Sequence, residues 1–102
     1  MSEVRLSARA RLEIRAIGRW YLDQSPQAAR RFLAMVDTLL AQIGSSPRLW
    51  RVHGEGARRA PMRRFPYNVY YREVGDTVYI LAVVHAHRHP EAWRLAVDAV
   101  VQ

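Results

Sequence analysis

Apolar residues at helical spacing occupy the first half of the chain. Ser7 is a candidate N-cap, and four apolar residues follow it at helical spacing: Ala10, Ile14, Ile17 and Tyr21. A second repeat begins after Ser25 and Pro26, which suit a cap and a first helical position, and it comprises Ala29, Phe32, Val36, Leu39, Leu40 and Ile43. Since residues three and four apart share one side of a helix, the pattern predicts two helices. Their short link predicts an antiparallel hairpin whose apolar sides need a sheet beneath them.

The second half of the chain carries strand-like patterns. Segments 67–74 and 77–86 are rich in tyrosine and β-branched residues, and the Gly-Asp pair at 75–76 is a two-residue hairpin signal. The register of such a turn pairs Tyr71 with Ile80, Val69 with Ala82, and Tyr67 with Val84. These pairs would form the side that the helices cover. The other side would then carry Asn68, Tyr70, Arg72, Tyr79, Leu81, Val83 and His85.

Shorter segments complete the predicted sheet and its cover. Residues 4–6 predict an extended segment, and residues 57–62 predict an edge strand, because Pro61 cannot donate to a ladder. The side of the sheet away from the helices is too apolar to be fully exposed. After Pro90, residues 91–101 predict a short amphipathic helix, and this helix or a partner protein is expected to cover part of that side.

These elements predict an α+β fold: a small antiparallel sheet with the N-terminal helical hairpin packed on one face and a short C-terminal helix. The 102 residues predict one domain, residues 1–102. No apolar run approaches the ~20 residues of a membrane span, and no apolar signal core follows Met1. We therefore expect a cytoplasmic protein without a membrane partner. The absence of cysteine excludes disulfides and thiolate metal sites.

The chain is strongly basic, with a formal net charge of +7 and a pI near 11.0, and all sixteen basic residues are arginine. Arginine binds phosphate or carboxylate bidentately, so the surplus indicates an acidic partner, either nucleic acid or an acidic protein segment. Biased codon usage could explain the missing lysine, but it does not explain the net charge. The candidate partner-binding residues are Arg11, Arg15, Arg19, Arg58, Arg59, Arg72 and Trp93.

Two rows on the first predicted helix lie outside its core stripe. Arg11, Arg15 and Arg19 share one side, which could meet an acidic partner or could simply be solvated. A third row, with Leu12, Ala16 and Trp20, predicts an exposed apolar strip, and such a strip would be an interface.

Histidines alternate at the end of the last strand, at His85, His87 and His89. Such spacing could bind zinc, but Pro90 ends the strand at once, and we predict neither a metal nor a cofactor. Alternatively, histidine could move a proton while a neighbouring arginine stabilises an anionic phosphorane, as metal-free RNA cleavage requires. A basic rim without chemistry is equally compatible. No phosphate loop, nucleophile elbow, Ser/His/Asp arrangement or carboxylate pair supports other hydrolase or NTPase chemistry.

The chain resembles the RelE/ParE superfamily of bacterial toxins from type II toxin–antitoxin systems, which includes plasmid stabilisation proteins. The resemblance spans nearly the whole chain and is carried chiefly by two segments: Arg64-Phe65-Pro66-Tyr67 with Tyr70-Tyr71-Arg72, and Val83-Val84-His85-Ala86-His87-Arg88-His89-Pro90 with Trp93. It implies a small antiparallel sheet with two helices on one side. It also implies an acidic antitoxin partner, and hence a hetero-oligomer.

The superfamily has two kinds of target. RelE-like members cut ribosome-bound mRNA, and resemblance to them would make Arg64, His87 and Arg88 catalytic. That branch has arginine and tyrosine where this chain has Asn68 and Trp93, and its RNA-binding lysines have no counterpart here. The Phe-Pro-Tyr and His-x-x-x-x-Pro-x-x-Trp segments are closer to ParE-like members, which inhibit DNA gyrase. The resemblance therefore implies a gyrase inhibitor that acts by binding. The alternatives are an mRNA endonuclease and a non-toxic remnant that binds antitoxin.

Overall fold

The computed structural model describes residues 2–87, which form two helices on one side of a four-stranded sheet. The elements in chain order are β1 (Glu3–Leu6), α1 (Ala8–Gln24), α2 (Pro26–Ser45), β2 (Arg58–Pro61), β3 (Tyr67–Val74) and β4 (Thr77–His85). The predicted α+β architecture is confirmed. The predicted C-terminal helix lies outside the described residues, as do Arg88 and Trp93. Neither helix within residues 2–87 has the length and apolarity that a membrane crossing requires.

The sheet has the order β1-β4-β3-β2, and one edge differs from the purely antiparallel sheet that was predicted. Strands β2, β3 and β4 are antiparallel neighbours, and β2 with Pro61 forms the predicted edge. In contrast, β1 pairs parallel with β4, and Val4 lies opposite Val78. A four-residue segment alternates identically in both directions, so its pattern carries no information about strand polarity.

Both predicted helix caps are confirmed. The Ser7 hydroxyl oxygen accepts a hydrogen bond from the Ala10 N–H at 3.0 Å, and Ser25 accepts from the Ala28 N–H at the same distance. The Ser7 hydroxyl also donates to the Leu81 carbonyl at 3.0 Å. A single serine therefore begins α1 and ties its first turn to β4.

The main core lies between the helical hairpin and the sheet. Phe32 of α2 is fully buried, and its ring lies 5.5 Å from that of Tyr21. Tyr71 of β3 is also fully buried, and its hydroxyl donates to the Pro47 carbonyl at 2.6 Å. This burial raises the pKa of Tyr71 to about 12, so the phenol remains neutral well above its ordinary range.

Strand β4 contains a bulge that the sequence pattern did not predict. Tyr71 pairs with Ile80, as expected from the two-residue turn, but Tyr70 pairs with Ala82. Leu81 is therefore an extra residue on β4. A turn fixes the register only as far as the first irregularity, because one added residue shifts every later pair.

Beyond the bulge, the pairs predicted for Val69 and Tyr67 are wrong, since these residues face Val83 and His85. Val83 joins the core beneath the helices, and the His85 ring lies 5.2 Å from the Tyr67 ring. The predicted sides of β4 are thus exchanged after Leu81. The opposite side of the sheet carries a second buried cluster: Ala57, Tyr70, Leu81, Ala82 and Val84.

Candidate partner-binding surfaces

A groove runs along the outer seam between α1 and α2, and we call it the α1–α2 groove. Its floor is formed by Leu6, Ile14, Gly18, Leu22, Pro26, Ala29 and Leu33. Leu22 and Leu33 are about half exposed, at 52% and 46%. Exposed leucines that meet in a concave surface are typical of a contact site rather than of a solvated helix side.

Four arginines form the rim of this groove: Arg11, Arg15 and Arg19 from α1, and Arg30 from α2. Those of α1 are four residues apart, so they stand in a row about 6 Å from one another. Among residues 2–87, no aspartate or glutamate lines the groove, and no recorded ion pair includes a rim arginine. The structure thus brings the predicted arginine row together with an apolar floor.

Arg30, Gly18, Leu22 and Leu33 were not singled out from the sequence. A signal was available, because Leu33 lies one turn after Arg30 and beside the core stripe that begins at Ala29. The environment of Leu33 depends on how α1 packs against α2, because that packing decides whether the side chain faces solvent, the core or the seam between the helices.

The third row of α1 forms an exposed apolar strip, as predicted. Leu12 is 62% exposed and Trp20 is 56% exposed. Ala16 and Trp20 also line a second groove, which we call the β4-end groove because Tyr67, Val83, Val84, His85 and His87 line it from the sheet, together with Glu13 and Ile17 from α1. The exposed strip therefore continues towards the histidines that end β4.

Glu13 connects α1 to β4 immediately after the bulge. One carboxylate oxygen accepts a hydrogen bond from the Val83 N–H at 2.9 Å, and the other accepts from Arg9 Nε at 3.2 Å. β1 ends at Leu6, which pairs with Ile80, so at Val83 a side chain of α1 replaces a neighbouring strand. Glu13 thereby fixes where the end of β4 lies, a role that its sequence position alone did not indicate.

Within residues 2–87, the two candidate catalytic residues Arg64 and His87 do not converge on one pocket. Arg64 is exposed in the loop between β2 and β3, has a left-handed backbone with φ of 69°, and lines grooves beside α2. His87 lines the β4-end groove, and its N–H donates to Nδ1 of His85 at 3.1 Å. The two segments adjoin, since the Ala86 N–H donates to the Pro66 carbonyl, but the two side chains line different surfaces. Within residues 2–87, no cluster of three potential metal ligands is present.

The remaining candidate arginines lie on or beside the sheet. Arg58 donates to the Trp50 carbonyl at 2.7 Å, and Arg72 donates to the Glu55 carbonyl, so both brace the loop before β2. Arg59 is exposed and pairs in register with Tyr70. Only Arg59 of these three is thus placed primarily for an external contact.

The helical hairpin packed on the four-stranded sheet is the fold of bacterial toxins of the RelE and ParE type. The chromosomal ParDE toxin–antitoxin system of P. aeruginosa contains a chain with TM-score 0.64 and 17% identity, over 85% of this chain and 98% of that one. The E. coli RelBE toxin–antitoxin complex gives TM-score 0.63 and 17% identity over 86% and 100%. The isolated E. coli RelE toxin gives 0.63 and 18% over 98% and 99%. At such identities these neighbours establish the fold.

The sequence itself shows the family. The family described as the ParE toxin of the type II toxin–antitoxin system parDE matches residues 4–90. The chain belongs to this family. Comparison with curated protein sequences gave no significant match.

Proposed function

We propose that this protein is a toxin that inhibits DNA gyrase by binding it, and that an acidic antitoxin neutralises it. The observation that carries the proposal is the ParE family match, which extends across both helices and all four strands. Gyrase and the antitoxin would meet the toxin in the cytoplasm.

The separate placement of Arg64 and His87, the two candidate catalytic residues within residues 2–87, supports inhibition by binding. A metal-free ribonuclease needs a base, an acid and a phosphate-stabilising cation around one phosphodiester. Arg64 and His87 line separate grooves. Burial raises the pKa of Tyr21, and the neighbouring Tyr67 raises it further. The described residues therefore offer exposed surfaces more readily than an assembled active site.

The charge and exposed apolar surface support an acidic protein partner. The net charge is +7, and the α1–α2 groove combines its arginine rim with half-exposed leucines. A partner that covers both would need carboxylates beside apolar side chains. The P. aeruginosa neighbour comes from a ParDE toxin–antitoxin system, and one E. coli neighbour comes from a RelBE complex. We therefore expect an antitoxin to bind this chain as well.

The purified full-length protein should be assayed for inhibition of gyrase supercoiling and, in parallel, for cleavage of mRNA during translation. We expect supercoiling to stop in proportion to toxin concentration while the message stays intact. Replacement of both Arg64 and His87 by alanine should leave gyrase inhibition unchanged, because neither residue would act chemically.

Two outcomes would contradict the proposal. Cleavage of the message together with unaffected gyrase would identify the endonuclease alternative, and loss of that cleavage in the double variant would assign its residues. Absence of growth arrest on induced expression, with both assays negative, would identify a non-toxic antitoxin-binding remnant.

A further inference from the structure

The outward side of α1 carries an apolar strip that stays exposed in the folded chain. Leu12 and Trp20 are 62% and 56% exposed, and Ala16 between them is exposed as well. The Trp20 ring packs edge-on against the Tyr21 ring at 5.0 Å between centroids, so its position is held although more than half of the residue is open to solvent. Large apolar side chains aligned on one side of a helix are typical of a contact surface.

The strip is bounded by one basic and one acidic residue. Arg9 precedes Leu12 by three positions, and Asp23 follows Trp20 by three. Ala16 lies in the centre, so the spacing along α1 is three, four, four and three. At 100° per residue, all five residues fall within about 40° on either side of one line along the helix. The series therefore has the same spacing in both directions, but the charges at its ends are opposite.

Symmetric spacing with opposite end charges fits a second copy of the same helix. In an antiparallel pair related by a two-fold axis through Ala16, Leu12 lies opposite Trp20 of the second copy. Arg9 lies opposite Asp23 of the second copy, and the symmetry repeats this pair at the other end. The small residue at the centre lets the two backbones approach, and the larger residues on each side fill the space beside it.

We propose that the protein forms a two-fold dimer through this strip, with the two α1 helices antiparallel and crossing at Ala16. The inference goes beyond the proposed function and does not depend on the gyrase target. The strip carries one cation and one anion, so it does not favour an acidic partner as the rest of a chain with net charge +7 does. Nucleic acid would have to place phosphates over Leu12 and Trp20.

The contact is small, so the dimer should be weak. α1 has 17 residues and is about 25 Å long, and one pair of such helices buries less than the roughly 800 Å² per partner of a standard interface. The net charge of +7 and the flanking Arg15 and Arg19 oppose association, and the two exposed end pairs contribute little. We expect a dissociation constant on the order of tens of micromolar, which should decrease as salt screens the repulsion.

Sedimentation equilibrium of the full-length protein, from micromolar to millimolar concentration, measures the association. Ala16→Glu places two carboxylates at the two-fold axis and should raise the dissociation constant at least about tenfold. Ala34→Glu is the matched control, because Ala34 is exposed on α2 and the change in net charge is the same. Both variants lower the net positive charge, so a loss confined to Ala16→Glu cannot come from net charge. A monomer at every concentration, or equal losses in both variants, would overturn the proposal.

The absence of cysteine allows a direct test of the register. The Cβ atoms of a disulfide lie about 3.5–4.5 Å apart, so a residue can be joined to its own counterpart only near the two-fold axis. Oxidation with diamide should link Ala16→Cys into a covalent dimer and leave Ala34→Cys largely monomeric. Leu12→Cys and Trp20→Cys should link to each other when mixed more than either links to itself. Preferential linking of each to itself would overturn the antiparallel arrangement, and equal linking of Ala16→Cys and Ala34→Cys would overturn the contact.

Two exposed aspartates provide a matched charge test. Asp23→Arg places a second cation opposite Arg9 of the second copy, whereas Asp37→Arg makes the same change in net charge on α2. The dissociation constant should rise about threefold or more beyond that of Asp37→Arg. Equal effects would overturn the pairing of the strip ends.

Nucleic acid carried through purification could also join two basic molecules. Such a dimer would dissociate on nuclease treatment and on raising the salt concentration, and that result would overturn the proposal. A dimer that resists nuclease and tightens with salt would support contact through the apolar strip.

Discussion

The Glu13 carboxylate joins α1 to the end of β4, because it accepts a backbone hydrogen bond where β4 has no neighbouring strand on the β1 side. The stability of Glu13 variants therefore measures how strongly α1 holds that end of β4. In Glu13→Ala, the Val83 N–H loses its acceptor, and Val83 is only 3% exposed. An unsatisfied buried amide costs about 1–3 kcal/mol. The ion pair with Arg9 is partly exposed and adds about 0.2–1 kcal/mol, while alanine recovers a few tenths in helix propensity. We expect a net loss of about 1.5–3 kcal/mol in the free energy of unfolding.

Equilibrium urea unfolding of full-length variants would measure this loss, with two matched controls. Arg9→Ala removes the ion pair with Glu13 and leaves the Val83 hydrogen bond in place, and loss of that pair should cost no more than about 1 kcal/mol. Glu13→Gln keeps a carbonyl oxygen that can accept from Val83, so it should recover most of the stability. Hydrogen exchange at the Val83 amide should accelerate in Glu13→Ala and stay slow in Arg9→Ala. Similar stabilities for Glu13→Ala and Arg9→Ala would refute the role of the Val83 contact.

Four further substitutions test the core, the close approach of α2 to β1, and the caps. The raised pKa of Tyr71 means that its neutral form stabilises the fold fully below pH 10 and that this contribution is lost as pH rises towards about 12. Tyr71→Phe should therefore flatten the decline of stability over that window in pH-dependent unfolding. Gly44→Ala should destabilise the protein by about 1–3 kcal/mol, since the added Cβ would lie 2.9 Å from Val4 Cγ2; unchanged denaturant stability would contradict that contact. Ser7→Ala should lower the unfolding temperature more than Ser25→Ala, because only Ser7 also donates to β4; equal effects would argue against the tertiary bond.

Local chemistry explains why the helical elements could be predicted so closely. Ser7 and Ser25 satisfy exposed N–H groups within their own first turns, and Pro26 has no N–H to lose. The apolar spacing of α2 likewise matches its buried residues from Ala29 to Ile43. Only part of the candidate site was predictable. The arginine row of α1 follows from its spacing in the sequence, whereas the groove beside this row forms only where α2 packs against α1.

The contrast between Gly18 and Gly44 shows why packing could not be deduced in advance. Both glycines lie within the observed helices, Gly18 in α1 and Gly44 in the last turn of α2. In the folded chain, an added methyl group at Gly44 would collide with β1, whereas one at Gly18 would meet Leu33 at an ordinary distance. Gly44 therefore serves the close approach of α2 and β1, whereas Gly18 is not required by any such contact among residues 2–87.

The sequence by itself determined the helices, their caps, the extent of β3, the family and the basic charge, because each depends on residues near one another in the chain. The tertiary structure decided the parallel pairing of β1, the bulge at Leu81 and the side on which His85 lies. Strand polarity and register depend on hydrogen bonds between distant segments, and one extra residue reverses every later side chain. Contacts between distant segments likewise place Arg64 and His87 in different grooves, and they bring the arginine row of α1 to the seam with α2.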